Sequence, residues 1–265
     1  MPRAIWRGSI SFGLVNIPVK LYSAVVDRSV RFHRLHASDG VRLRQKMYCP
    51  ADGEDVDLED AARGYEVSRD HYVIVTDEEI EGMAPEATRS IQVTDFVDLA
   101  RIDPIAYVHP YYLVPAEGAS EPYNLLAKAM TDAGKAAIAR LVMHNKAYLA
   151  ALRTIDGIIC LETMRFADEI LKPSEIEEGP EKTKVDAKQL EMANRLIDML
   201  AADFELEKYH DDYREQLQAM VDKKAKGEQI VAAEAPPPPA KVIDLTAALE
   251  QSLAKARERK KEKAG

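Results

Sequence analysis

Ala136-Ala-Ile-Ala-Arg-Leu-Val-Met-His144, Ala147-Tyr-Leu-Ala-Ala-Leu-Arg-Thr-Ile155 and Ile158-Ile-Cys-Leu-Glu-Thr-Met164 are three apolar runs, each separated from the next by two residues. Runs this short, bounded by turn chemistry and rich in β-branched residues, read as strands and not helices. The second connection, Asp156-Gly157, suits a type I′ hairpin, because both central residues must accept a positive φ and Asp-Gly does so at little cost. Three strands joined by two tight turns form an antiparallel sheet with a mostly apolar face, and such a face must be covered.

Upstream of this unit the chain is strand-like again. Ile10 to Gly13, Val15 to Val26 with an interruption at Pro18, and Val30 to His36 are rich in β-branched and aromatic residues. Asp39-Gly40 then leads into Val41-Arg-Leu-Arg-Gln-Lys-Met47, where apolar and basic residues alternate with a period of two. On a strand that pattern puts Val41, Leu43 and Met47 on one face and Arg42, Arg44 and Lys46 on the other. His71 to Val75 reads as a short strand, and Thr76-Asp-Glu-Glu79 as the capping box of a short helix ending near Gly82. Strands follow at Ser90 to Val97 and Tyr111 to Val114, then a helix over Pro122 to Thr131. The expected class is α+β, with an antiparallel, closed or nearly closed β core.

After Pro173 the apolar period changes from two to helical. Leu190, Ala193, Ile197 and Leu200 fall on one stripe, Tyr213, Leu217 and Met220 on another, and Gly227 is a natural stop. Residues 228 to 240 contain Pro236-Pro-Pro-Pro239 and predict a stiff polyproline spacer. The last helix, Val242 to about Ala256, carries the narrow stripe Leu245, Leu249 and Leu253, which either docks back or serves a partner.

The net charge of −9 argues against a nucleic-acid partner only on average. Residues 1–50 carry +7 and residues 51–120 carry −13, so the chain is electrically segregated, and surface field follows the distribution. Arg7, Lys20, Arg31, Arg34, Arg42, Arg44 and Lys46 share a segment with only two acids, as a surface tracking phosphates requires. Nothing resembles a base-reading helix, so sequence-independent, salt-sensitive binding is the expectation. A plain solvated strand face is the structural alternative.

Other chemistry finds less support. There is no phosphate loop, no His-Glu-x-x-His, no nucleophile elbow and no dinucleotide fingerprint. His33 and His36, three apart on a strand, point to opposite faces, and Cys49-Pro-Ala-Asp52 has half the spacing of a zinc ribbon with its second cysteine replaced, so neither a metal nor any other cofactor is expected. Two cysteines are too few for a disulfide framework, and no apolar run is long enough to span a membrane, which together predict a cytoplasmic chain. A lysine acting as a Schiff-base nucleophile on damaged DNA would need an apolar pocket to lower its pKa, and periodicity alone reveals none.

Several stretches resemble the bacterial Ku family: Arg3-Ala-Ile-Trp-Arg-Gly-Ser-Ile-Ser-Phe-Gly-Leu-Val-Asn-Ile-Pro-Val-Lys-Leu-Tyr22, Arg31-Phe-His-Arg-Leu-His36, Asn145-Lys146 with Leu149-Ala-Ala-Leu-Arg153, and Tyr209-His-Asp-Asp-Tyr-Arg-Glu-Gln-Leu217. The likeness runs from the first residues to about Gly227, and Val242 to Leu249 is similar to the family's short C-terminal region. It implies a non-enzymatic, nucleoid-associated homodimer. A β-barrel core with a bridging arm (1–170) would close a ring on double-stranded DNA ends, followed by a helical arm (171–227), the linker (228–240) and a partner-binding helix with a basic tail (241–265). The implied partner is the multifunctional bacterial DNA ligase of end joining, met through Leu245, Leu249 and Leu253. Matching positions favour Lys20, Arg31 and Lys146 as inner-surface cations, with Arg7, Arg34, Arg42, Arg44, Lys46, Arg140 and Arg153 as wider candidates.

Overall fold

A computed structural model describes residues 3–83, 89–143, 145–180, 183–227 and 245–262, which form two compact units. The first takes in residues 1–28 and 33–175, the second residues 29–32 and 176–265.

The first unit is built on a closed seven-stranded barrel. In chain order its elements are β1 (Trp6–Phe12), β2 (Val15–Ser23), β3 (Met47–Tyr48), β4 (Asp55–Val56), β5 (Arg63–Ser68), β6 (His71–Val75), α1 (Asp77–Met83), β7 (Ser90–Asp98), β8 (Tyr107–Pro115), α2 (Ser120–Ala133), β9 (Lys135–Met143), β10 (Lys146–Ile155) and β11 (Ile158–Met164). Around the barrel the order is β1-β2-β8-β11-β10-β9-β7, closing on β1. The expected antiparallel core is present, with one parallel seam, β1 against β7, where Ser9 faces Ser90. Seven is odd, so a ring of alternating strands cannot close without one parallel contact.

The hairpin at Asp156-Gly157 has φ of 48° and 80°, the positive pair a type I′ turn requires. It fixes Ile155 opposite Ile158 and Arg153 opposite Cys160. Alternate residues then fill the interior: Ile10, Ile17, Leu21, Ile91, Leu113, Leu152, Ile159 and Leu161 are fully buried. Each such side chain contributes roughly 1.5–3 kcal/mol on burial. The helix α2, slightly longer than its apolar pattern predicts, adds Tyr123, Leu126, Ala127 and Met130 to the same core. The Tyr123 hydroxyl donates to the Leu113 carbonyl (2.6 Å) and accepts from the Ile159 N–H (2.8 Å), joining the helix to β8 and β11. Pro18 does not interrupt β2: the ladder to β8 begins at Val19, so its missing N–H falls where that pairing runs out.

Between β2 and β7 the chain leaves the barrel for more than sixty residues, and here two expectations fail. The strands predicted at Val30 to His36 and Val41 to Met47 reduce to one isolated bridge, Leu35 to Arg42, beside the Asp39-Gly40 turn, with Met47 opening the two-residue β3. Val41 and Leu43 remain 61% and 51% exposed. Among the described residues the alternation has no third strand to pack on, and a lone two-stranded ribbon is marginal. Further along, the Thr76 capping box forms as predicted: the Thr76 N–H donates to Glu79 Oε2 (2.9 Å) and the Glu79 N–H to Thr76 Oγ1 (3.2 Å).

The second unit contains α3 (Ala187–Leu200), α4 (Asp212–Ala225) and α5 (Leu245–Glu262), with Asp186 and Asp211 accepting the N-terminal amides of α3 and α4. In it α5 packs on α3, with Gln189 Nε2 donating to Thr246 Oγ1 at 3.1 Å. The half-buried side of α3 is Gln189, Met192, Ala193, Leu196 and Met199, whereas Leu190, Ile197 and Leu200 of the predicted stripe are exposed. Both stripes are apolar, and tertiary contact chose the other one. The predicted spacer 228–240, Val242 and His144 lie outside the described residues.

Candidate nucleic-acid interface

Strand alternation sorts the barrel's side chains. On β1 and β2 the inward set is Ile10, Ile17, Val19 and Leu21, so Arg7 and Lys20 point outward. They are also direct cross-strand partners in the β1–β2 ladder. Like charges at such a pair repel by a few tenths of a kcal/mol up to about 1 kcal/mol. Neither has an acidic partner among the described residues. Two cations directly opposite each other on one ladder, with no acid paired to either among the described residues, suit an anion.

The other side of the barrel is closed off. Between β7 and β8 the chain runs over the β9–β10–β11 side: the Leu99 N–H donates to the Gly134 carbonyl just before β9 (3.3 Å), and the segment ends beside Arg165, just after β11. This crossing segment is tied down by Arg165, whose N–H donates to the Ala106 carbonyl (2.8 Å) and whose Nη1 donates to the Ile105 carbonyl (2.9 Å). Outward-facing Ala136, Ala151 and Cys160 are accordingly buried. Beneath it Arg153 is committed: Nε donates to Glu162 Oε1 at 2.7 Å, with Glu162 itself buried. Burial opposes the Arg153 charge, but the hydrogen bond and charge of Glu162 prevail and hold the guanidinium above its ordinary pKa. Burial likewise raises the Cys160 thiol.

The remaining candidates do not form one cluster with Arg7 and Lys20. Arg140 projects outward on β9 between Gln92 and Leu149, unpaired among the described residues. Lys146 sits at the β9–β10 hairpin with Nζ 5.5 Å from the centroid of the Tyr148 ring. Arg34, Arg42 and Arg44 are exposed around the Leu35–Arg42 bridge, while Lys46 is salt-bridged to Asp55. Arg31 belongs with the helical unit. On α5, Leu249 and Leu253 are half-buried and Leu245 is exposed. Sequence reasoning missed the carboxylate that holds Arg153. The signal was there, because a two-residue turn at Asp156-Gly157 sets Ala151 opposite Glu162 and so puts Arg153 one step away on the same face.

A closed barrel with this N-terminal hairpin matches the model of the Ku70/Ku80 beta-barrel domain over residues 11–192. The chain belongs to the Ku family. It is similar to proteins named Non-homologous end joining protein Ku: 45% identical over 260 residues to that of Anaeromyxobacter sp. (strain K), covering 98% of this chain and 88% of that one. The one from Mycobacterium tuberculosis (strain ATCC 25618 / H37Rv) is 42% identical over 259 residues, covering 95% and 94%. That of Archaeoglobus fulgidus is 38% identical over 232 residues, covering 88% and 92%. The three matches cover 88–98% of this Ku chain and 88–94% of the relatives. No helix among its described residues is long and apolar enough to cross a membrane.

Proposed function

We propose that this Ku chain binds double-stranded DNA ends without regard to sequence, as a homodimeric ring acting in non-homologous end joining. It catalyses no step itself and recruits the pathway's multifunctional ligase through residues 241–265. The observation that carries the DNA reading is the Arg7–Lys20 couple on the open face of the barrel, without an acidic partner among the described residues, in a segment of charge +7 within a chain of charge −9. Phosphate contact relieves the repulsion, releases condensed counterions and needs no base-reading element. The names of the relatives support the pathway. Exposed apolar side chains on both faces of the β5–β6 hairpin support the dimer: Tyr72 and Ile74 on one face and Tyr65 on the other are each more than half exposed. The lyase alternative gains nothing, since no lysine among the described residues is buried, and Lys135 beside the apolar cavity under α2 is held by Asp98 at 2.5 Å.

The experiment is a mobility-shift comparison of linear duplex with the same duplex sealed into a covalently closed circle, across a salt series. Binding confined to the linear form and weakening with salt is expected of a threaded ring. Equal binding to both forms overturns the ring.

A further inference from the structure

The open face of the barrel holds more than its two cations. In the β2–β8 ladder Tyr22 is directly opposite Tyr112. Their neighbours Leu21 and Leu113 fill the core, so both tyrosines lie on the outward side with Lys20. Both rings are half-buried, and neither hydroxyl has a hydrogen-bond partner among the described residues. Tyr123 shows the contrast: its hydroxyl is buried and used twice by the fold. No outward position of β1, β2 or β8 is acidic.

A tyrosine held by a sheet offers a donor O–H on a ring with few torsions left to lose. Directly opposite residues stand about 4.5–5.5 Å apart, and Lys20 is two residues from Tyr22, about 6.6–6.8 Å along the strand. That step is comparable to the separation of neighbouring phosphates on one nucleic-acid strand. Donors at this spacing, with no carboxylate among them, suit a polyanion better than a peptide, which would expose its own donors to the same face.

We propose that Tyr22 and Tyr112 are a second pair of backbone contacts, donating their hydroxyls to phosphate or sugar oxygens beside Arg7 and Lys20. The inference rests on the DNA-binding reading and sharpens it, because it separates a neutral from an ionic contribution on one face. A neutral donor releases no counterion, whereas each lost phosphate–cation contact reduces the salt slope by about 0.9.

The test uses the full chain and a linear duplex with four variants: Tyr22→Phe, Tyr112→Phe, Lys20→Gln, and Arg7→Glu combined with Lys20→Glu. Each Phe variant is expected to weaken binding about three- to tenfold, the range for one lost hydrogen bond, with an unchanged salt slope. Lys20→Gln is expected to flatten the slope. Because neither hydroxyl has a partner among the described residues, the urea midpoints of the Phe variants should match the parent. Parent-like affinity in both Phe variants, or a lowered midpoint that accounts for the loss, overturns the role of the tyrosines while leaving the cations in place. Undiminished binding by the double Glu variant instead removes this face from DNA binding altogether.

Discussion

Among the candidate cations, pairing separates structural from available charge more sharply than position does. Arg153 and Arg140 lie on adjacent strands and both project outward, yet one faces a buried carboxylate and the other has no ionic partner among the described residues. Replacing Arg153 by Ala leaves Glu162 charged, 7% exposed and without its partner. Breaking a buried pair this way costs about 3–5 kcal/mol. Arg153 is itself 30% exposed, so water offsets part of that, and a loss of roughly 2–3 kcal/mol is expected. Arg140→Ala, at an exposed position of β9, should stay within about 0.5 kcal/mol of the parent. Urea unfolding of the two variants checks this: similar midpoints would mean that Glu162 does without its partner at no cost. The same comparison tells whether weaker DNA binding by an Arg153 variant reflects contact or collapse.

At the scale of elements, the contact between α3 and α5 decides what the C-terminal leucines do in the free chain. Leu249 and Leu253 are half-buried, and α5 packs on α3, whose half-buried side is centred on Met192, Leu196 and Met199. Leu196→Asp puts a charge into that seam, which an apolar contact cannot solvate. Amide exchange followed by mass spectrometry should then show α5 losing protection at least tenfold while the barrel strands are unchanged. Unchanged α5 protection would mean that the helix does not depend on α3. Local signals told the sequence a good deal: the Asp156-Gly157 turn and the Thr76 capping box carry their own geometry in their own residues. The covered side of α3 and the parallel seam were not legible, since each depends on a neighbour distant in the chain. Nor was the open face of the barrel, because no residue of β1 or β2 reports where the segment after β7 will cross. The alternation at Val41 to Met47 misled for a related reason, in that a period of two implies a strand only where something covers its apolar side.

For the whole molecule, the excursion between β2 and β7 is difficult to understand in one copy. In the β5–β6 hairpin Glu66 pairs with Tyr72 and Gly64 with Ile74 on one face, while Tyr65 pairs with Val73 on the other. Tyr72, Ile74 and Tyr65 are 60%, 67% and 69% exposed, so both faces of a two-stranded ribbon show apolar side chains to water. Such a ribbon is not stable alone, and a self-complementary contact about a twofold axis would cover it. Tyr72→Glu combined with Ile74→Asp places two carboxylates in that contact, where they repel each other and resist desolvation. The expected outcome is a monomer in sedimentation velocity, with the barrel's unfolding transition intact because none of its core residues is touched. Such a monomer keeps Arg7 and Lys20 and so keeps weak, salt-sensitive affinity for duplex, but it has lost the closed path around the helix. It should therefore bind linear and circular DNA alike and hold linear DNA at least about tenfold less tightly, since one set of phosphate contacts replaces two. A variant that still sediments as a dimer and still prefers ends would place the subunit contact elsewhere and leave the exposed hairpin without this role.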